Sequence, residues 1–173
     1  MRQIRNVRTH LKNACRDLLA NFLWSTPLCP LPLRWLVLRA SGMSVERSSI
    51  AHGSWFGGLR LSIGRHTYIN SFCFFDTSAT ITLGERCRVG PRVTFCTSTH
   101  HLGDARMRAG ESTSLPIYVG NGVWIGAAAL ILPGAVIGSG TVIAAGAVVT
   151  GRCDENSLYG GVPARKIRDL TDE

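Results

Sequence analysis

The feature that most constrains this chain is a hydrophobic repeat with a period of six residues. In its most regular part an aliphatic residue recurs at every sixth position, and a small residue stands four positions after it; the two series are Val119, Ile125, Ile131, Ile137, Ile143, Val149 and Val123, Ala129, Ala135, Thr141, Ala147. Because side chains alternate faces along a strand, six residues hold one short extended side and a bend. Three such units close a triangular coil, and stacked coils bury a continuous aliphatic column. The repeat predicts an all-β solenoid, a parallel β-helix.

Two upstream blocks keep the same spacing, at Ile63, Ile69, Phe75 and at Leu83, Val89. The residue after each aliphatic position is most often Gly, Asn or Asp, as at Asn70 and Asp76. These types tolerate a positive φ, so the pattern predicts tight left-handed corners at those positions.

The repeat divides the chain into a solenoid over residues 45–150, an N-terminal helical segment over 1–44 and a C-terminal cap over 151–173. A helical stripe (Ile4, Val7, Leu11, Cys15, Leu18, Phe22) predicts an amphipathic N-terminal helix that ends before Pro27. We expect this helix to cover the open edge of the first coil; the alternative is weak contact with an anionic membrane surface. The basic stretch after Pro163 predicts a short C-terminal helix.

Composition narrows the partners and the compartment. The formal charge of +8 arises from 19 Arg and Lys against 11 acids, and it suits nucleic acid, a membrane surface or an anionic small molecule. The clusters at the two ends lack interleaved aromatics, and no helix-turn-helix or zinc-finger spacing occurs, so we expect no nucleic-acid partner. Cys73 and Cys87 occupy small inward positions, there is no CxxC pair, and no signal peptide is recognisable, so we expect buried thiols and a cytoplasmic location.

The segment 96–116 is the one long break in the repeat, and it carries the adjacent pair His100 and His101. Everything around it is regular framework. Long loops on a rigid scaffold are where functional residues concentrate. The sequence therefore predicts the functional site at this loop.

Three segments resemble the hexapeptide-repeat acyltransferases, in particular the maltose, galactoside and related O-acetyltransferases. They are C-T-S-T-H at Cys96 to His100, P-I-Y-V-G-N-G-V-W-I-G at 116–126 and G-V-P-A-R-K-I-R at 161–168. The resemblance implies a left-handed β-helix, a homotrimer, and clefts between neighbouring subunits where acetyl-CoA meets a small-molecule acceptor. The expected function is acetyl-CoA-dependent O-acetyl transfer to a sugar hydroxyl.

The same resemblance assigns candidate catalytic and acceptor-binding residues. His100 matches the family's catalytic histidine, and an imidazole, which titrates near neutrality, can take the proton of an attacking hydroxyl. Asn70 and Asp76 match positions that face the acceptor, although both residues also suit corners for conformational reasons alone. His101 either orients the substrate or is solvated, and Trp124 either walls the cleft or packs between subunits.

Coenzyme A needs a narrow slot for its pantetheine arm and cations for its phosphates. By resemblance the cofactor-binding residues are Ala127, Ala145, Thr150, Arg165, Lys166 and Arg168. Gly151 stands where the family often has a lysine, and Arg152 is a candidate substitute. No metal is expected.

Three alternatives remain open at this stage. The first is N-acetylation of an amino sugar on the same scaffold. The second is a zinc hydratase of the γ-carbonic-anhydrase kind, for which the expected spaced histidine pair is missing. The third is a non-catalytic β-helix that serves as a binding module, against which the His100 loop and the basic tail argue.

Overall fold

The computed structural model describes residues 21, 22, 26 and 29–171. A 3-10 turn at Leu31–Leu33 leads into helix α1 (Arg34–Ala40), and the chain then winds through about six coils. The strands in chain order are β1 (Ser44–Val45), β2 (Ser49–Ile50), β3 (Trp55–Phe56), β4 (Leu61–Ile63), β5 (Tyr68–Ile69), β6 (Phe74–Asp76), β7 (Ile81–Leu83), β8 (Arg88–Val89), β9 (Thr94–Cys96), β10 (Ser98–Leu102), β11 (Ala109–Ser114), β12 (Ile117–Val119), β13 (Trp124–Ile125), β14 (Leu130–Ile131), β15 (Val136–Ile137), β16 (Val142–Ile143), β17 (Val148–Val149), β18 (Arg152–Cys153), β19 (Ser157–Gly160) and β20 (Arg165–Asp169).

Successive coils stack their strands into three sheets. Sheet A has the order β1-β4-β7-β12-β15-β18, sheet B the order β2-β5-β8-β13-β16-β19-β20, and sheet C the order β3-β6-β9-β14-β17. All neighbours in these sheets pair in parallel except β19 and β20. We call the bends between sheets B and C the BC corner, and those between sheets C and A the CA corner. The predicted parallel β-helix is confirmed.

The core is the inward column that the six-residue spacing predicts. Ile69, Ile81, Ile125 and Ile143 are fully buried. On the first three strands of sheet C the column is aromatic. The rings of Phe56, Phe75 and Phe95 stack there with centroids 5.1 and 4.8 Å apart.

The small inward position is often filled by a residue that can donate a hydrogen bond. Thr67 Oγ1 donates to the Gly84 carbonyl at 2.8 Å, and Cys87 Sγ to the Gly120 carbonyl at 3.1 Å. Each bond ties one coil to the corner of the next. Burial raises the pKa of the Cys73 thiol to about 11 and raises that of Cys87, so both thiols stay protonated near neutral pH.

Glycine is required after the aliphatic positions for a different reason from the positive φ that the sequence pattern suggested. Positive φ angles lie two residues further along, at positions such as His66 (61°) and Arg92 (58°), not at Gly64 or Gly90. A Cβ on Gly64 would approach the Glu85 nitrogen to 2.7 Å, and one on Gly90 would approach the Ala127 nitrogen to 2.7 Å. These glycines are therefore needed because the backbone of the next coil lies too close for a side chain.

The expected C-terminal helix is wrong. Residues 165–169 form strand β20, which pairs antiparallel with β19. The sheets also continue past residue 150, through β18 and β19. Strand β19 would otherwise leave an open edge at the end of sheet B, and β20 satisfies its backbone groups.

At the other end, α1 packs on the first coil through Arg34 and Leu38, which are 6% and 3% exposed. The amphipathic stripe predicted over residues 4–22 lies almost entirely outside the described residues. None of the described helices is long and apolar enough to cross a bilayer.

Candidate functional site

The segment between β9 and β12 leaves the coil at the CA corner as a β-hairpin. The aperiodic sequence gave no sign of this regularity. Strands β10 and β11 pair antiparallel, with His100 opposite Ser112 and Leu102 opposite Ala109, and a bulge lies between these two pairs. Pairing satisfies backbone groups that the solenoid can no longer pair. At the tip, Asp104 Oδ1 accepts from the backbone nitrogens of Arg106 and Met107, at 2.8 and 3.2 Å.

Asp76 anchors the root of this hairpin to the coil below. Its Oδ2 accepts from the backbone nitrogens of Thr97 and Ser98, at 3.1 and 2.8 Å, and from Ser98 Oγ at 2.6 Å. Its Oδ1 accepts from the backbone nitrogen and Oγ of Ser78, at 3.0 and 2.6 Å. Partial burial opposes ionisation, but the hydrogen bonds from Ser78 and Ser98 outweigh it and hold the pKa of Asp76 well below its usual range. Both carboxylate oxygens are thus engaged by the protein.

His100 stands on the hairpin with one ring nitrogen fixed. Its Nδ1 lies 2.9 Å from the carbonyl oxygen of Gly110. A carbonyl only accepts, so Nδ1 carries the proton that it donates, and in the neutral ring Nε2 is the free base. The side chain is exposed, which leaves Nε2 accessible to a substrate. His101 is exposed as well.

Gly110 is a residue of the candidate site that sequence reasoning missed. A Cβ at this position would lie 2.9 Å from the His101 carbonyl oxygen, so only glycine lets the two strands approach closely beside His100. The glycine in the loop was the available signal, but its partner across the hairpin is not visible in the sequence.

The BC corner presents the predicted pantetheine contacts in one ladder. The Ala128 nitrogen donates to the Pro91 carbonyl at 2.9 Å, and the Gly146 nitrogen to the Ala127 carbonyl at 2.8 Å. Ala127 and Ala145 therefore lie one coil apart at the surface of this corner. Asn70 lies on the same corner two coils below Ala127, and its Oδ1 accepts from the Ser71 nitrogen at 2.8 Å.

The candidate phosphate contacts lie on β20. Lys166 is already paired, with its Nζ 2.6 Å from Asp169 Oδ1 and 3.3 Å from Asp154 Oδ2. The hydrogen bond that Lys166 donates to the Asp169 carboxylate is the largest cause of the raised pKa of Lys166. No carboxylate among the described residues forms an ion pair with Arg165 or Arg168.

The site residues fall into two groups that lie at opposite ends of the strands of sheet C. His100, Asp76 and Thr150 lie at the CA corner, while Asn70, Ala127 and Ala145 lie at the BC corner. Trp124 belongs to neither group; it faces outward on sheet B between Arg88 and Val142 and is 58% exposed. One chain thus does not bring the two groups together.

Metal-ligand types are scattered across the part of the chain that the structure describes. His52 lies at the BC corner of the first coil and His66 at the bend between sheets A and B of the second, away from the hairpin. Nowhere within this part do three His, Cys, Asp or Glu residues lie close enough to hold a metal ion.

Comparison with known proteins supports the hexapeptide-repeat architecture. Residues 116–151 match the family model for the bacterial transferase hexapeptide (six repeats). The chain is 37% identical over 115 residues to the galactoside O-acetyltransferase of Escherichia coli, a match that covers 66% of this chain and 57% of the relative. The alignment thus spans a little over half of that relative's length.

Solved structures extend the similarity to most of the chain. A hexapeptide-repeat-containing acetyltransferase from Vibrio cholerae is similar with a TM-score of 0.81 and 30% identity, covering 94% of this chain and 93% of that one. A second structure of that protein holds acetyl-CoA and has a TM-score of 0.80. A maltose O-acetyltransferase from Clostridium difficile has a TM-score of 0.79 and 27% identity, covering 93% and 87% of the two chains.

Proposed function

The chain belongs to the hexapeptide-repeat acetyltransferases, which are left-handed β-helices, and from this membership we propose that it transfers an acetyl group from acetyl-CoA to a hydroxyl of a sugar or a sugar-containing small molecule. The galactoside and maltose O-acetyltransferases among its relatives support this acceptor class by their names. The free cysteines and the need for acetyl-CoA favour the cytoplasm as its location.

The observation that carries the proposal is the hydrogen bond from His100 Nδ1 to the Gly110 carbonyl, at 2.9 Å. It directs the unprotonated Nε2 outward as the general base. Nε2 takes the proton of the acceptor hydroxyl while the oxygen of that hydroxyl attacks the thioester carbonyl. The tetrahedral intermediate then collapses, the C–S bond breaks, and the departing thiolate receives the proton, which leaves the acetyl ester and free coenzyme A.

We propose that the complete site forms between subunits of a homotrimer. The base lies at the CA corner and the candidate contacts Asn70, Ala127 and Ala145 at the BC corner, so a neighbouring copy has to supply one group. Trp55 and Phe74, 45% and 42% exposed on the outward face of sheet C, offer apolar surface for such a contact. Arg165 and Arg168 bind the phosphates of coenzyme A, and Thr150 lies beside its pantetheine arm. Lys166 also contacts coenzyme A while it stays paired with Asp154 and Asp169.

The decisive experiment replaces the base. His100→Ala should lower kcat by about 10² to 10⁴ with acetyl-CoA and the best acceptor from a panel of galactosides, maltose and amino sugars, since a general base contributes about that factor. Release of free thiol reports turnover, and a product resistant to mild alkali would indicate an amide instead of an ester. His101→Ala is the matched control and should retain far more activity. Full turnover by His100→Ala would refute the mechanism.

A further inference from the structure

The 3-10 turn and helix α1 leave leucines exposed next to a buried arginine. The buried face of α1 carries Arg34 and Leu38, 6% and 3% exposed, while Leu33 in the turn and Leu36 on the helix are 47% and 45% exposed. The guanidinium of Arg34 donates to the carbonyls of Thr26 at 2.8 Å, Cys29 at 2.8 and 3.0 Å, and Ile50 at 3.3 Å. Arginine is among the residues least often buried. The exposed Leu33 and Leu36 form an apolar surface that the described part of the chain leaves open.

The formal charge of the protein is concentrated in the N-terminal part of the sequence. Residues 1–75 contain ten Arg and Lys against two acids, whereas residues 76–173 contain nine of each. The whole formal charge of +8 therefore belongs to the N-terminal segment and the first two coils. Within the described residues, Arg39 is exposed on α1 and Arg47 is exposed where it lines a cavity together with Leu31. Such a field attracts an anionic surface.

A cavity of about 200 Å³ lies beside the exposed leucines, between α1 and the first two coils. Its lining combines apolar Leu31 and Trp35 with polar residues, among them Arg47. The combination of apolar side chains with an arginine fits the junction of a phospholipid, where the phosphate meets the acyl chains.

We propose that this N-terminal face, formed by Leu31, Leu33, Leu36, Arg39 and Arg47, docks on an anionic phospholipid bilayer. The leucines enter the interface between headgroups and chains, and the arginines contact lipid phosphates. The exposed leucines and arginines of this face set the orientation, with the first coil towards the bilayer and β20 away from it. The docking does not depend on acetyl transfer.

Co-sedimentation of the full chain with vesicles tests the docking. The protein should bind vesicles of three parts phosphatidylcholine to one part phosphatidylglycerol, and should not bind phosphatidylcholine alone. Affinity should fall more than about tenfold between 0.1 and 1 M salt, as the Debye length shrinks from about 10 to about 3 Å. Equal binding to both vesicles, or none at low salt, would overturn the proposal.

Paired variants locate the contact. Leu33→Ser with Leu36→Ser should weaken vesicle binding about tenfold, whereas Leu102→Ser with Val162→Ser, at positions 84% and 74% exposed elsewhere, should not change it. Arg39→Glu with Arg47→Glu should weaken it about thirtyfold or more, whereas Arg106→Glu with Arg108→Glu on the hairpin, with the same change in net charge, should change it much less.

Two further readouts separate other occupants of the leucine face. If Leu33→Ser with Leu36→Ser lowered the melting temperature by several degrees, the leucines would be packed by the chain's own N-terminal residues. If the pair changed the particle mass in light scattering, they would be packed by a second copy. Either result would overturn the bilayer as the partner, and unchanged values with lost vesicle binding would support it.

Discussion

The two corners that flank sheet C use opposite kinds of residue. At the BC corner, glycine and alanine let successive coils stack so closely that backbone and small side chains form a smooth surface. At the CA corner the same stacking is interrupted, and the chain instead builds a hairpin anchored by one carboxylate. The difference separates the proposed coenzyme slot, which needs the absence of side chains, from the proposed base, which needs one side chain held in a fixed orientation.

Filling the BC corner should produce the largest loss of stability. A Cβ on Gly126 would lie 2.5 Å from the Ala145 nitrogen, which is backbone and cannot move aside. We expect Gly126→Ala to cost about 3 kcal/mol, at the upper end for overpacking, and to raise the KM for acetyl-CoA. The control is Gly151→Ala at the CA corner, where a Cβ meets nothing within 4 Å. Similar denaturation midpoints for the two variants would contradict the explanation by close stacking.

Releasing the hairpin at the CA corner should have the next largest effect. Asp76→Asn leaves backbone donors of Thr97 and Ser98 facing an amide nitrogen or a weaker acceptor, which should cost about 2 kcal/mol. We expect kcat to fall because the root below His100 loosens, with little change in the KM for acetyl-CoA. Asp104→Asn at the hairpin tip keeps its accepting oxygen and is the control in the same denaturation series.

The lowered pKa of Asp76 also predicts that the stability of the protein depends on pH. The pKa of Asp76 is lowered on folding, so the unfolded chain binds this proton more readily than the folded one. The contribution of the Asp76 carboxylate to the free energy of unfolding is complete above the pKa of an unfolded Asp, about 3.9. It is lost as the pH falls below that value towards the folded pKa. Asp76→Asn should therefore show a shallower loss of stability below pH 4 than the unaltered protein. Parallel acid denaturation curves would contradict the anchoring role.

The smallest expected effect concerns the BC corner of the first coil, where the ring of Phe72 from the second coil packs against the backbone. A Cβ on Gly53, at φ 77°, would lie 2.5 Å from the ring of Phe72. Gly53→Ala should cost about 1 kcal/mol, from the left-handed backbone and the contact together. Combining it with Phe72→Ala should recover the contact part, and a double-mutant cycle measures that coupling. Strict additivity would show that backbone conformation alone is responsible.

Sequence reasoning succeeded where local spacing fixes the outcome. The buried column from Ile63 to Val149 follows directly from the repeat, because a β-strand has only two faces. It misjudged the glycines, since the sequence cannot distinguish a positive φ from a backbone lying too close, and it misjudged residues 165–169, whose strand depends on the open edge of β19. The hairpin pairing of residues 98–114 was missed for a similar reason: its strands satisfy each other and follow no repeat.

The sequence by itself determined the coil, the family resemblance and the candidate base, because each is written in spacing or in a contiguous motif. Only the tertiary structure decided how those parts are used. It showed that Asp76 holds the hairpin root through Oδ2, that the Gly110 carbonyl lies within hydrogen-bond distance of His100 Nδ1, and that α1 buries Arg34 while Leu36 stays exposed. These outcomes depend on contacts between residues ten to twenty-two positions apart or on which face of a helix meets the first coil, and neither is encoded in local pattern.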